Sequence, residues 1–295
     1  MKFTNARGLP GPLHSMLTYN DYNSSGMRFD TSATRVIDSP QIAAFRKSHG
    51  KEVVEDSAQR LWSSAGSGIH SRLEAANASN PDTLSEKRFI EEFPHPSGEG
   101  TLKLSAQIDT YEMSRKCLSD LKSCSVWKVV NGDYTQWEQQ LNIGACLMRM
   151  AGHEVESLEI WAILRDWSKA RINDKDYPNN ALSVVSIPLW TLAEQQAFIA
   201  ERLELHFGEG EKTCSDKERW ARPAQFAVKE KGKKRALRVL LSREKAESWM
   251  TSQGRGDRIE ERPATYTRCE SYCSFKQWCP QYNNATEVAQ QPQEG

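Results

Sequence analysis

Asp120 and Lys122 lie two residues apart in the run Lys116-Cys117-Leu118-Ser119-Asp120-Leu121-Lys122-Ser123-Cys124. A strand with a period of two turns both side chains to one face. A second carboxylate, Asp109, sits on the preceding strand-like segment, and His70 lies further upstream on a helix-like one. Phosphodiester hydrolysis needs a nucleophilic water and neutralisation of the charge that builds on phosphorus, and a bound divalent ion serves both needs. Mg²⁺ takes carboxylate, carbonyl and water oxygens. Asp109 and Asp120, at facing ends of paired strands, would supply that cage, the carbonyl of Leu121 a further oxygen, and His70 a nitrogen. A mixed imidazole and carboxylate set accepts Mn²⁺ as well as Mg²⁺. Lys122, aimed at the same point, would steady a water or a phosphate. Asp-x-Lys alone is expected about once by chance in a chain of this size. Its apolar neighbours Cys117, Leu118 and Leu121 make it informative, because a burial-prone strand holds Asp and Lys only at a cost.

The elements that must position these groups follow from the hydrophobic pattern. Ser39-Pro40 opens a short helix over 39–49, with Pro at the first helical position. Val54, Ala58, Leu61, Ala65, Ile69 and Leu73 follow helical spacing and predict one amphipathic helix carrying His70. Gly66 and Gly68 interrupt it at about 1 kcal/mol each, which predicts a close approach there. Strands are expected over 87–93, 102–112 and 117–123, with a turn at 94–100. A helix from Tyr134-Thr135 carries Gln140, strands follow at 157–164 and 182–188, and a helix spans 191–207. The order predicts an α/β core with a mixed central sheet flanked by helices. Residues 226–241 read as a hairpin with a basic turn, and 243–251 as a helix. The expected organisation is an irregular arm over 1–30, a core over 31–208, a small basic extension with a cysteine cluster over 209–282, and a disordered polar tail over 283–295.

The segments Gly66-Ser-Gly-Ile-His70-Ser-Arg-Leu-Glu74, Gln107-Ile-Asp109, Asp120-Leu-Lys122 and Gln140-Leu-Asn-Ile-Gly144 together resemble the PD-(D/E)XK nuclease superfamily, closest to its RecB-like branch of phage exonucleases and CRISPR-adaptation nucleases. The resemblance covers about 65–150. It implies a restriction-endonuclease-like core, metal binding by His70, Asp109 and Asp120, a catalytic role for Lys122, and DNA positioning by Gln140. It further implies exonuclease action on the ends of single- or double-stranded DNA, in phage or bacterial recombination, repair or DNA turnover alongside a partner protein. The chain departs from the pattern twice. Ala106 stands near the usual glycine before the first Asp, and Gly144 takes the tyrosine place of Gln-x-x-x-Tyr.

Cys269, Cys273 and Cys279 form a second group. Soft thiolates so close in sequence suit zinc or an iron–sulfur cluster, although reduced cysteines are also commonly just buried. RecB-like relatives with a [4Fe-4S] cluster carry three C-terminal cysteines and one near the N-terminus. Here no cysteine precedes Cys117, and Ser39-Pro40 stands roughly where Cys-Pro is expected. That leaves Cys124, Cys146, Cys214, a histidine or a partner as the fourth ligand.

Charge points the same way locally. The 39 basic and 39 acidic residues cancel, so bulk charge names no partner. Between Lys217 and Arg268, however, 15 Lys and Arg face 7 Asp and Glu. Lys231, Lys233, Lys234 and Arg235 in the hairpin turn are therefore candidate phosphate contacts at the edge of a cleft. No apolar run is long enough for a membrane helix, and no secretory leader is read, so the protein is expected in the cytoplasm with reduced thiols. Two other readings fit the residues: a catalytically inactive nucleic-acid-binding protein on the same fold, and a zinc-structured regulator with an accidental Asp-x-Lys.

Overall fold

The computed structural model describes residues 2–19 and 27–283. It forms two compact units, one of residues 1–38 and 54–211 and one of residues 39–53 and 212–295. The first unit is mixed α/β. Its larger sheet has five strands in the order Leu182–Ile187, Ser157–Leu164, Cys117–Cys124, Thr110–Glu112 and Thr83–Ser85. Only the pairing of Ser157–Leu164 with Cys117–Cys124 is parallel, and the remaining pairs in that sheet are antiparallel. A three-stranded sheet pairs Thr101–Gln107 with Arg88–Pro94 on one side and Thr31–Ser32 on the other.

The segment expected as one strand over 102–112 is two strands in two sheets. Thr101–Gln107 pairs with Arg88–Pro94, while Thr110–Glu112 pairs with Thr83–Ser85. Both chains break at the same level. Arg88 lies opposite Gln107 in one sheet and Ser85 opposite Thr110 in the other. Between them Ile108 N–H donates to Lys87 C=O at 3.0 Å and Glu86 N–H to Asp109 C=O at 3.1 Å. Glu86 has φ of 51° at this break, a left-handed conformation that a non-glycine residue enters only at a cost.

The helix Thr135–Met150 packs Trp137, Leu141, Ile143, Ala145, Leu147 and Met148 into the main core with Leu104, Leu118 and Ile160. Its seat is set by a buried polar network. Asn142 Nδ2 donates to Glu138 and Pro188 carbonyls, and its Oδ1 accepts from Trp190 N–H and Gln195. Gln195 belongs to the helix Leu192–Phe207, which opens with a Thr191–Glu194 capping box. Burying these polar groups is tolerable because each finds a partner.

Two further expectations are corrected. The predicted helix from Val54 begins only at Leu61 and runs to Asn77; Val54–Asp56 is a strand paired in parallel with Lys2–Thr4. That partner lies far away in sequence, where periodicity cannot see it. It also gives structure to the arm expected to be irregular, which further contains the helix Gly11–Thr18 with Pro12 in its first turn. No residue of Leu61–Asn77 is buried, and a Cβ placed on Gly66 or Gly68 would meet nothing within 4 Å. The close approach those glycines suggested is therefore not made among the described residues.

In the second unit, Ser39 caps the helix Pro40–His49, and Ile42 and Val53 pack with Phe275. The expected hairpin pairs Gln225–Lys229 with Arg238–Leu240, and a third strand, Arg258–Arg262, joins its other edge. The helix Arg243–Gln253 packs on this sheet. Of the expected tail over 283–295, all but Asn283 lies outside the described residues. No helix among the described residues is long and apolar enough to cross a membrane.

Candidate active site

The two-sheet break delivers Asp109 to the end of its strand, beside Cys117–Cys124. Leu121 N–H, on that neighbouring strand, donates to Asp109 Oδ2 at 2.7 Å. Leu121 thus meets the site through its amide. His70 comes from the outer helix Leu61–Asn77, with Nδ1 3.3 Å from Asp109 Oδ2 and 3.5 Å from Glu86 Oε1. Among the described residues, His70, Glu86 and Asp109 are the group whose ligand atoms all lie within 4.8 Å of one another.

Glu86 is the residue that sequence reasoning missed. Its acidic type is visible in the sequence, but its placement depends on the left-handed backbone at the break. One carboxylate oxygen, Oε2, accepts from Gln107 Nε2 at 2.5 Å, and Gln107 in turn accepts from Arg88. The other, Oε1, is buried without a hydrogen bond and faces His70. A buried carboxylate oxygen in that condition is costly unless it meets a cation. Two carboxylates and an imidazole, mostly shielded from solvent, suit a hard or borderline divalent ion and would neutralise its charge. The Arg88–Gln107–Glu86 relay orients the ligand from behind, as supporting hydrogen bonds do in metal sites.

Without an ion the imidazole takes the role of the cation. The hydrogen bond to Asp109, and then the Glu86 carboxylate, push His70 up to about 10, against the opposing effect of burial.

Beside this cluster lies a closed triangle. Lys122 Nζ is 2.6 Å from Asp120 Oδ2 and donates to Gln140 Oε1 at 3.1 Å, and Gln140 Nε2 donates to Asp120 Oδ1 at 2.9 Å. Burial pushes the Asp120 carboxyl up to about 6, with Lys122 pulling it down and the Asp109 charge pushing it up. Asp120 itself stands outside the three-ligand group and is paired with lysine.

Both clusters open into one cleft of about 1580 Å³, lined by the outer helix at Ser63, Gly66, Ser67, His70, Ser71 and Glu74. Its volume exceeds the usual range for a small-molecule pocket. Arg28, Arg35, Lys87, Arg88, Lys103 and Lys122 also line it. Gly144 is buried at its floor, where a Cβ would already touch Leu118 at 3.4 Å and Ile108 at 3.8 Å. The place that a tyrosine takes in the resembling family is here used for packing.

The other expected residues belong to the second unit. Lys231, Lys233, Lys234 and Arg235 are exposed in the hairpin turn, with Lys233 Nζ 2.6 Å from Glu230. Cys269, Cys273 and Cys279 line a pocket of that unit.

No family model and no curated protein matches the chain. Among solved structures it is similar to the protein SSO0001, at 16% identity and a TM-score of 0.46, over 65% of this chain and 83% of that one. It is also similar to a phage-related exonuclease from Haemophilus somnus 129PT, at 13% identity and a TM-score of 0.30, over 66% of this chain and 91% of that one. The function is accordingly read from the geometry of the cleft.

Proposed function

We propose that this protein is a divalent-metal-dependent nuclease that hydrolyses phosphodiester bonds in DNA on a restriction-endonuclease-like, PD-(D/E)XK-type core. The observation that carries the reading is the pairing of two clusters in one cleft: His70, Glu86 and Asp109 as a ligand set, and Lys122 held beside it by Asp120 and Gln140. His70, Glu86 and Asp109 would hold Mg²⁺ or Mn²⁺, which would supply charge neutralisation at the phosphate and a lowered pKa for a bound water.

The chain's own residues do the rest. Lys122 presents a positive charge where negative charge builds during attack, and a donor already in place needs no reorganisation at that moment. Asp120 and Gln140 fix that ammonium from two sides. Leu121 N–H holds the Asp109 carboxylate in register with its strand neighbour. The cleft's Arg and Lys side chains bind the phosphate backbone without reading sequence. The small side chains of Ser63, Gly66 and Ser67 leave that wall open to a bulky polymer. Digestion from DNA ends, alongside a recombination or repair partner, is the mode we favour, and Lys231, Lys233, Lys234 and Arg235 would add a salt-sensitive hold.

The test is end-labelled single- and double-stranded DNA with Mg²⁺, Mn²⁺ or chelator. Cleavage that requires metal and is lost in Asp120→Ala supports the reading. DNA that is bound but left intact with either metal would point instead to a binding protein on this fold.

A further inference from the structure

We propose that the outer helix and the strand ends beside it form a stacking track for single-stranded DNA, with Trp62 and Arg165 as its first platform and Trp127 as its second. The inference rests on the nuclease reading and narrows its substrate to DNA with an unpaired strand. Trp62 lies in the first turn of the helix Leu61–Asn77 and is 58% exposed. The Arg165 guanidinium lies 4.7 Å from the centre of its ring. Arg165 is exposed, and the carboxylate next to it in sequence, Asp166, is engaged by Ser125 Oγ and Val126 N–H. That leaves the Arg165 charge available to a phosphate.

The first platform continues the cleft. Trp62, Gly66 and His70 recur at four-residue intervals, which places them on one side of the helix. Gly66 and His70 line the cleft, as does Ser63 next to Trp62. A rise of about 1.5 Å per residue sets Trp62 about 12 Å from His70 along the axis, the length of about three to four stacked nucleotides. Gly66 lies between them, and a Cβ there would meet nothing within 4 Å, which leaves a strand room to pass. On the other side, Arg165 follows the strand Ser157–Leu164. Its N–H donates at 2.9 Å to the carbonyl of Cys124, at the end of the strand that carries Lys122. Both halves of the platform therefore extend from elements that build the site.

The track extends past the strand ends. Asp166 accepts from Ser125 Oγ at 2.7 Å and from Val126 N–H at 2.6 Å, which ties the Arg165 segment to the start of the helix Val126–Asn131. On that helix Trp127 is 42% exposed, with the Arg171 guanidinium 4.7 Å from its ring centre. Arg171 is held there by Asp174 at 2.7 Å and by the Tyr177 ring at 5.2 Å. Exposed indole rings are faces on which bases stack with little regard to sequence, and guanidinium groups beside them add cation–π attraction. In a duplex the base faces are covered by neighbouring pairs, so platforms of this kind select unpaired strands. Cations laid against the rings suit a polyanion.

Fluorescence anisotropy of the full chain in chelator tests this, with a blunt hairpin duplex and an oligothymidylate of about 20 nucleotides as labelled probes. Trp62→Ala should weaken oligothymidylate binding about 5- to 150-fold, and Trp62→Phe, which keeps a stacking face, should retain most of it. Arg165→Gln should lower the slope of log affinity against log salt by about 0.7. Hairpin affinity should stay near wild type in each variant. Oligothymidylate bound as tightly by Trp62→Ala as by wild type, or a hairpin weakened as much as the oligothymidylate, would overturn the track and leave the nuclease reading standing. Neither probe bound by wild type would overturn both. The expected losses in Trp62→Ala, with no cleavage by wild type once Mn²⁺ is added, would uphold the track and sink the nuclease reading alone.

Discussion

Glu86 and Asp109 face each other where two neighbouring chain segments leave one sheet for another, with the Glu86 N–H donating to the Asp109 carbonyl at 3.1 Å. The register that sets Ser85 opposite Thr110 and Arg88 opposite Gln107 also sets Glu86 opposite Asp109, and both carboxylates lie close to His70.

Glu86 should therefore trade stability for metal binding. Glu86→Gln keeps its shape and loses its charge, and Mn²⁺ affinity should fall about 10- to 100-fold or more. Glu86→Gly removes the same ligand and also relieves the left-handed backbone, a strain of about 1–2 kcal/mol. In metal-free thermal unfolding it should be as stable as wild type or more so, while binding Mn²⁺ no better than Glu86→Gln. Calorimetry of binding and unfolding checks both halves.

Lys122 and Asp120 should be coupled beyond their separate effects. Asp120 is buried and Lys122 only partly exposed, so Lys122→Met strands a carboxylate in a poorly solvated site, at about 3 kcal/mol or more. Asp120→Asn combined with Lys122→Met should cost less than the sum of the single changes, because neither charge is left alone. Denaturant unfolding of the four proteins measures the coupling. Additive costs would show that the 2.6 Å contact is not energetically important.

The pH dependence has a defined sign. His70 is raised from 6.5 to about 10, so its contribution to metal-free stability is fully present below 6.5 and lost as pH rises through about 10. Asp120 is raised from 3.8 to about 6, and it too favours the protonated folded state, an effect lost as pH rises through that lower window. Between pH 6.5 and about 10 the His70 contribution should thus lower the metal-free Tm as pH rises, and His70→Gln should flatten that part of the slope. Bound metal must replace the imidazolium proton, so Mn²⁺ should bind more tightly as pH rises and release protons on binding. Titration calorimetry in buffers of different ionisation enthalpy reads that release.

Gly144 should behave as a packing residue. Gly144→Ala places its methyl in ordinary contact with Leu118 and gains about 1 kcal/mol of helix propensity, so Tm should rise by about 2–4 °C with cleavage retained. Gly144→Tyr should overpack the floor of the cleft and destabilise by about 3 kcal/mol or more.

The order of elements and several site residues were legible in the sequence for a physical reason. A two-residue strand period puts Asp120 and Lys122 on one face whatever lies around them, and the apolar helix pattern around Leu141 and Met148 fixes where Gln140 points. Glu86 was not legible, because its position follows from cross-strand pairing opposite Asp109, a partner distant in sequence that leaves no periodic trace. The same holds for Val54, whose apparent helical phase was overridden by a strand partner at Lys2. The grouping of residues 39–53 with the C-terminal unit likewise rests on contacts distant in sequence, such as Ile42 with Phe275.

The most direct test of the account is the rate of DNA cleavage by wild type, Glu86→Gln and Lys122→Met across a Mn²⁺ titration. If Glu86 is a metal ligand and Lys122 a charge aimed at the phosphate, rising Mn²⁺ should recover much of the Glu86→Gln rate. Lys122→Met should stay at least about a hundredfold slower at saturation. Cleavage by wild type without any divalent ion, or full activity in both variants at low Mn²⁺, would contradict it.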